Sequence, residues 1–290
     1  MKLLKFTIKI ISYFLQALLI YIFFIIGIVL RLRLSRTFFS NLFKYIGPLF
    51  KSKNVIAKNL KYFSKDISNS DMKKIAESMW KNYGKTFIEY IFLKNFRSNN
   101  DHIELKGLEN LDNIIKKGKP VIFVSGHFAN FELMSMEITK KNIKLATIYR
   151  PLNNFFLNPF MEYLRRKYVC SDQIKKGING VRDAIYYIKK NYSVALMIDQ
   201  RVSEGERVFF FNNPALTTTL PAQLGRKYNL SIVPVFIERN GENFRIEFFE
   251  SINPHDFRSK LDLTLKLNEI LETMIKKNPY EWIWTHNRWK

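Results

Sequence analysis

The stretch VIFVSGHFANFE at residues 121–132 decides the fold that we predict for this chain. Its first four residues are apolar, as is typical of a buried strand, and Gly126 can make a sharp turn into a following helix. His127 and Glu132 are five positions apart, which on one continuous helix separates two side chains by about 140° in projection. They can meet only if His127 lies in the turn and Glu132 in the first turns of the helix. The segment therefore predicts a strand–turn–helix unit that carries a potential base beside a potential orienting carboxylate.

Similar apolar runs recur along the chain, and segments with helical periodicity separate them. Strands are predicted at residues 121–125, 145–149, 194–198, 232–237 and 244–249. Helices are predicted after a capping segment at residues 68–71, around 159–168 and 181–189, from 217–221 onward, and at 261–275. The last segment starts with a leucine at every second position, as in a strand, but continues with helical spacing. Apolar strands separated by helices indicate an α/β fold, with a partly parallel sheet flanked by helices.

The N-terminus predicts a membrane anchor. Residues 10–30 contain no charged side chain, and a run of about 20 apolar residues is long enough to cross a bilayer. A cleaved signal peptide would have an apolar region of about 7–15 residues and a small-residue cleavage site, and neither condition is met. We therefore predict a retained anchor at residues 1–36 and a catalytic domain at residues 37–290. Basic residues flank the run on both sides, and the richer downstream side favours a cytoplasmic domain. Residues 37–65 are basic and aromatic, which fits either an interfacial amphipathic segment or a helix packed on the domain.

The charge balance calls for an acidic partner or surface. Forty-seven Lys and Arg against 25 Asp and Glu give a formal net charge of +22. Nucleic acid, anionic lipid and an acidic carrier protein all satisfy this charge. A membrane-tethered nucleic-acid-binding protein is the alternative from a different class, but it gives no reason for the His127–Glu132 pair. The single cysteine, Cys170, excludes an internal disulfide framework, and the absence of CxxC and HExxH patterns predicts no metal site and no metal-dependent hydrolase.

Three of the predicted strands end in residues that are capable of chemistry: His127, Arg150 and Asp199. Ligands bind outside the carboxyl ends of the strands in open α/β sheets, so we expect these residues to share one site. A neutral histidine can take a proton from a hydroxyl, with Glu132 fixing its tautomer. Arg150 could hold a phosphate or carboxylate, and Asp199 could bond sugar hydroxyls, pair with a cation or simply cap a turn.

Asn130, in the same turn, is a further candidate for substrate binding. No serine or cysteine is well placed as a nucleophile. Direct attack by a hydroxyl of the substrate is therefore favoured over a covalent intermediate.

Five segments together resemble the lipid A biosynthesis acyltransferase family, the late lauroyl/myristoyl acyltransferases. They are GHFANFE (126–132), YRPLNN (149–154), IDQR (198–201), the stretch that begins at Phe210, and PYEWIWTHNRWK (279–290). The resemblance implies a glycerolipid-acyltransferase-like domain on the cytoplasmic side of the cell inner membrane. It also implies an O-acyltransferase without a cofactor, which moves a fatty acyl chain from acyl carrier protein to a lipid A precursor of the Kdo-lipid IVA type.

The resemblance assigns roles to individual residues. His127 would be the general base, oriented by Glu132, whereas Arg150, Asp199 and Gln200 would bind the substrate. The sequence departs from the family where Gly and Trp are common, at Ala129 and Phe131, and Asn287 stands where a basic residue is frequent. An acyltransferase for another glycolipid, such as a phosphatidylinositol mannoside, is the nearest alternative. Donor chain length, acceptor position and oligomeric state are left open.

Overall fold

The computed structural model describes residues 2–290, and the side chains of all of these except residues 2–4, 115, 117 and 178. The helices are α1 (Lys2–Phe50), α2 (Lys53–Phe63), α3 (Asn69–Glu89), α4 (Leu93–Ser98), α5 (Leu108–Lys117), α6 (Glu132–Lys140), α7 (Asn158–Leu164), α8 (Ile178–Lys189), α9 (Leu220–Tyr228) and α10 (Lys260–Lys277). The strands are β1 (Ile103–Lys106), β2 (Ile122–Ser125), β3 (Leu145–Tyr149), β4 (Asp172–Lys175), β5 (Ser193–Met197), β6 (Glu206–Phe210), β7 (Asn213–Thr217), β8 (Ile232–Asn240) and β9 (Asn243–Phe248).

Seven of these strands form one mixed sheet in the order β1-β9-β8-β2-β5-β3-β4. Strands β8 and β9 are antiparallel, and the other neighbours are parallel. All four residues of β2 are buried, because α9 packs on β2 while α6, α8 and α10 pack on neighbouring strands. The predicted α/β sheet flanked by helices is confirmed. Its parallel strands bring their carboxyl ends to one edge, where ligands of open α/β sheets bind.

The predicted elements are present, with small shifts at their ends. Ser68 caps α3 by accepting a hydrogen bond from the backbone N–H of Asp71. The helix predicted around residues 159–168 is α7 followed by a π-helical turn at Arg165–Val169. Residues 261–275 lie within α10, so the helical interpretation of the alternating leucines is confirmed.

Helix α1 consists of two halves that meet at Arg31, where the backbone leaves the helical region with φ 60° and ψ 170°. The first half is apolar, and an 18-residue window in it has a mean hydropathy of 2.5 with only 17% of the window buried. Length and composition are therefore sufficient for the helix to cross a membrane, which suggests membrane association. Its inner side contacts the domain, where the Tyr21 hydroxyl donates a hydrogen bond of 3.1 Å to the carbonyl of Phe156.

The second half of α1 packs on α3. Phe39 is completely buried there, and a Cβ on Gly84 of α3 would lie 2.1 Å from the Phe39 carbonyl oxygen, so only glycine permits this approach. Of the two interpretations of residues 37–65, the structure shows the helix packed on the domain. The predicted boundary between residues 36 and 37 lies inside this second half.

Candidate active site

A cavity of about 370 Å³ opens at the carboxyl edge of the sheet. His127 lies in the turn between β2 and α6, Arg150 directly after β3, and Gln200 after β5. The lining residues are His127, Phe131, Glu132, Ser135, Thr147, Ile148, Tyr149, Arg150, Pro151, Leu152, Asn153, Arg165, Gln173, Lys176, Leu196, Met197, Gln200, Val202, Thr218 and Leu220. The sheet thus brings His127, Glu132, Arg150 and Gln200 to one cavity.

The partner of His127 is Asp199. Its Nδ1 lies 2.7 Å from Asp199 Oδ1, and its backbone N–H donates to Oδ2 at 2.8 Å. Trp282 Nε1–H donates to the same Oδ2 at 2.9 Å. Burial alone would raise the pKa of Asp199, which is 1% exposed, but the charge of His127 and these donated hydrogen bonds hold that pKa below its ordinary value.

An ionised Asp199 fixes the state of the imidazole. The carboxylate can only accept, so the proton of a neutral His127 lies on Nδ1 and Nε2 carries a lone pair. The side chain of His127 is 22% exposed and lines the cavity. A buried acid behind a histidine that faces a cavity is the arrangement of a general base with its orienting group.

The prediction that Glu132 orients His127 is wrong in this structure. Glu132 Oε1 accepts hydrogen bonds from the Tyr90 hydroxyl at 2.5 Å and from Arg165 Nε at 2.8 Å. Arg165 Nη2 donates to the Tyr90 hydroxyl at 2.9 Å and closes the triangle. Burial raises the pKa of Tyr90, so that hydroxyl stays protonated as a donor. The turn before α6 places the imidazole against Asp199 and directs Glu132 into this buried ion pair.

Two unpaired cations lie at the cavity. Arg150 is exposed. The pKa of the nearby Lys176 is lowered first by burial and second by the charge of Arg150. Neither side chain forms a salt bridge among the side chains that the structure describes. The cavity therefore has positive charge available for an anionic group of a ligand. Gln200 is half-buried in the lining, and its role in substrate binding stays a prediction.

Two other predicted substrate contacts are corrected. Asn130 is 1% exposed and does not line the cavity, because its Nδ2 donates to Glu89 Oε2 at 2.9 Å. Asp199 is equally buried, and both of its carboxylate oxygens are occupied by His127 and Trp282. Neither residue can reach a substrate without losing these bonds. Asp199 orients the histidine, and Asn130 fixes the turn through its hydrogen bond to Glu89.

The backbone of this turn is strained at Ala129, which has a φ of 42°. Positive φ favours glycine, so an alanine is strained at this position. The Thr86 hydroxyl donates to the Ala129 carbonyl at 2.8 Å, and Asn82 Nδ2 approaches the same oxygen at 3.5 Å. Helix α3 thus holds the strained turn in place.

Sequence reasoning missed four residues of this region: Tyr90, Arg165, Lys176 and Trp282. Arg165 follows Leu164 and precedes Arg166 and Lys167, so it resembled part of a solvated basic face. Trp282 lies in the C-terminal segment PYEWIWTHNRWK, which carried the family resemblance but gave no indication of contact with Asp199. Within residues 2–290, no group of three His, Cys, Asp or Glu side chains is arranged to hold a metal ion.

Comparison with known proteins identifies related sequences. A sequence model of the family described as "Bacterial lipid A biosynthesis acyltransferase" matches residues 3–290. The lipid A biosynthesis palmitoleoyltransferase of Escherichia coli (strain K12) is 25% identical over 192 residues, which span 64% of this chain and 61% of that protein. The lipid A biosynthesis acyltransferase of Shigella flexneri gives the same identity and the same coverage. The match thus spans less than two thirds of the length of each relative.

A solved structure also aligns with the chain. It is the crystal structure of the 1-acyl-sn-glycerophosphate acyltransferase PlsC from Thermotoga maritima. The alignment covers 93% of this chain and 99% of the other, with 14% identity and a TM-score of 0.42.

Proposed function

Because the chain belongs to the bacterial lipid A biosynthesis acyltransferase family, we propose that it transfers a fatty acyl chain from acyl carrier protein to a hydroxyl of a lipid A precursor of the Kdo-lipid IVA type. The observation that carries this proposal is the geometry at His127. Its Nδ1 is bonded to the buried Asp199 at 2.7 Å, which leaves Nε2 as a base at the cavity.

The proposed reaction needs one base and no covalent enzyme intermediate. His127 Nε2 takes the proton of the acceptor hydroxyl, which belongs to an acyl chain already on the disaccharide, while the hydroxyl oxygen attacks the thioester carbonyl. The tetrahedral intermediate then collapses, the carbon–sulfur bond breaks, and the thiolate of the carrier receives the proton from the imidazolium. Asp199 stabilises that imidazolium, as the buried acid of a triad does.

The walls of the cavity suit the two substrates. Phe131, Met197 and Leu220 supply apolar surface against which an acyl chain can pack. Arg150 and Lys176 supply positive charge for the phosphates of the acceptor or for the phosphopantetheine of the carrier. Basic lining beside apolar lining is what a phosphorylated lipid and an acidic carrier require.

The position of α1 supports entry from a membrane. Residues 151–153 line the cavity, and directly after them Asn154 Nδ2 donates to the Tyr13 carbonyl of α1 at 2.7 Å. The apolar helix is therefore attached to the rim of the cavity. With α1 in the bacterial inner membrane and the domain on its cytoplasmic side, an acceptor lipid would reach His127 without leaving the bilayer surface.

The direct test is His127→Ala in purified full-length protein, assayed with acyl carrier protein and a lipid A precursor. We expect loss of transfer in a protein that still folds, as shown by a cooperative unfolding transition. The matched control is His255→Ala, because His255 is exposed on a turn outside the cavity. Full activity in His127→Ala would show that another group is the base.

Mass spectrometry of lipid A tests the acceptor. Cells that lack the protein should produce lipid A without one acyl chain, and the mass difference gives the length of that chain. An unchanged lipid A would redirect the proposal to another glycolipid, such as a phosphatidylinositol mannoside.

A further inference from the structure

A second cavity, of about 430 Å³, lies between the second half of α1, helix α3 and the turn that joins β8 to β9. We call it the α1–α3 cavity. Its charged lining residues are Arg36, Lys81, Lys85, Arg239, Glu242 and Glu281. It shares no lining residue with the cavity at His127. The reaction proposed above gives it no role.

Arg36 is buried in the wall of the α1–α3 cavity and incompletely paired. It is 4% exposed; its Nε donates to Glu89 Oε1 at 2.6 Å and its Nη1 donates to the Glu242 carbonyl at 2.6 Å. Its Nη2 is also buried and has no hydrogen-bond partner among the described residues. A buried guanidinium N–H without an acceptor is costly, so the wall of the cavity contains an unsatisfied donor.

Two lysines add positive charge to the wall of this cavity. Lys81 and Lys85 are half-buried, lie one turn apart on α3, and both line the cavity. Neither forms a salt bridge with a side chain that the structure describes. Burial, and then the charge of Arg239, lower the pKa of Lys85, and the charges of Glu242 and Glu89 oppose this shift only in part.

The acidic residues of the lining do not neutralise these groups. Glu281 accepts a hydrogen bond from the Arg239 backbone N–H at 2.9 Å, and burial raises its pKa, which disfavours the charged form. Glu242 lies 3.4 Å from Arg36 Nη1, but its side chain is 58% exposed. Arg239 itself is already paired with the buried Glu89. Glu89 is thus the buried counterion of Arg36 and Arg239, and Lys81 and Lys85 leave an excess of positive charge in the cavity.

The cavity lies where the apolar part of α1 ends. The helix breaks at Arg31, and Arg36 lies five residues later, in the second half of α1. Phosphate groups of membrane lipids occupy the level at which an apolar helix leaves the hydrocarbon core. From this position, the unsatisfied Nη2 of Arg36 and the unpaired Lys81 and Lys85, we propose that the α1–α3 cavity binds a phosphate group, supplied by a lipid headgroup or by a soluble phosphate ester. Arginine and lysine together are the donors that such a group prefers.

A ligand at this position would lie beside a hydrogen-bond network that reaches the His127 turn of the candidate active site. Glu89 accepts from Arg36 and Arg239, and it also accepts from Asn130 of the His127 turn. Because a ligand that binds only the folded protein stabilises it by mass action, occupancy should raise the unfolding midpoint. This readout requires no acyl transfer, so it is independent of the function proposed above.

Lysine labelling measures occupancy directly. The full-length protein in nonionic detergent is treated with an amine-reactive ester, with and without each probe, and labelled lysines are quantified by mass spectrometry. The probes are glucosamine 1-phosphate, vesicles of phosphatidate with phosphatidylcholine, and phosphatidylcholine vesicles alone. We expect labelling of Lys81 and Lys85 to fall several-fold with a phosphate probe, while Lys73 and Lys94, which are exposed outside this cavity, label as before.

A pair of double variants separates the site from general charge effects. The unfolding midpoint of Lys81→Gln/Lys85→Gln should be the same with and without the phosphate probe, whereas the probe should raise the midpoint of the wild type. Lys73→Gln/Lys94→Gln removes the same charge from exposed positions and should keep the rise. Protection by phosphatidate alone identifies a lipid headgroup, whereas protection also by glucosamine 1-phosphate identifies a general phosphate site. No protection, or equal protection of all four lysines, overturns the proposal.

Discussion

Replacing Asp199 by Asn tests whether Asp199 or Glu132 is the acid that orients the imidazole of His127. The side chain keeps its shape but loses its charge, and the amide offers N–H donors where the carboxylate only accepted. In the wild type, Oδ1 faces Nδ1 of His127 at 2.7 Å and Oδ2 faces two donors. An asparagine with its oxygen toward those two donors presents its NH₂ to Nδ1. His127 then carries its proton on Nε2, the atom that must act as the base.

The expected loss follows from these contacts. A hydrogen bond to a charged group contributes about 1.5–3 kcal/mol. Since about 1.4 kcal/mol corresponds to a factor of ten in rate, loss of the charge at Nδ1 alone predicts a fall of about 10- to 150-fold. Loss of the tautomer adds the contribution of general base catalysis, which is about 10²–10⁴-fold. We expect Asp199→Asn to lower kcat by at least about 10³-fold, which is the product of the two lower bounds.

The assay pairs this variant with Glu132→Gln. Glu132 is bonded to Tyr90 and Arg165, so its replacement should mainly destabilise the protein, by about 3 kcal/mol, because the buried Arg165 loses its counterion. Transfer rates with acyl carrier protein, urea unfolding, and NMR of protein labelled with ¹⁵N-histidine report activity, stability and tautomer separately. Asp199→Asn should change the tautomer signal of His127, and Glu132→Gln should leave it unchanged.

The opposite pattern would refute the assignment. If Glu132→Gln shifts the tautomer of His127 while Asp199→Asn leaves both the tautomer and the rate intact, the carboxylate that orients the base is Glu132. Trp282→Phe gives an intermediate control, because it removes one donor to Asp199 without touching the imidazole. Its rate should lie between those of the wild type and Asp199→Asn.

Three further predictions concern stability. Ala129→Gly should raise the free energy of unfolding by about 1 kcal/mol in urea titrations, since φ 42° favours glycine; an unchanged or lower midpoint contradicts the strain. Glu89→Gln should cost about 3–5 kcal/mol in the same assay, because two buried arginines lose their shared counterion; a loss below 1 kcal/mol, on the scale of an exposed pair, would contradict that network. Burial lowers the pKa of His286 from 6.5 to about 4 while its Nε2 accepts from Arg201 N–H. The unfolded chain therefore binds the extra proton between these pH values, so stability should fall as pH drops from 6.5 to 4. The fall should be less than about 3 kcal/mol because solvent screens the partly exposed ring, and His286→Gln should flatten it.

The fold could be predicted because its central strands are apolar runs of ordinary length. Residues 145–149 match β3 at both ends, and the other predicted strands are shifted or extended by a few residues. Two of the missed strands, β1 and β4, lack that signal. Strand β4 has the sequence DQIK and lies at the edge of the sheet, and β1 alternates as IELK over only four residues. Short edge strands with charged residues cannot be distinguished from loops by periodicity.

The sequence was sufficient to predict which residues lie near one another at the candidate site, but not which of them are hydrogen-bonded. Strand order brings His127 and Asp199 to the same edge, and the carboxyl-end rule is sufficient to anticipate that. Which acid bonds the imidazole depends on the course of the turn, where Ala129 adopts a conformation that its residue type does not indicate. Long-range partners such as Trp282 carry no local signal at all.

The bonds around Asp199 join parts of the chain that are far apart in sequence. Asp199 and His127 are 72 positions apart, and Asp199 and Trp282 are 83 apart. Bringing such distant segments together requires closing long loops, which makes contacts of this kind slow to form. We therefore expect the histidine, its acid and the indole to come together late in folding, after β2 and β5 have paired. During refolding, native secondary structure should be recovered before the ability to transfer an acyl chain.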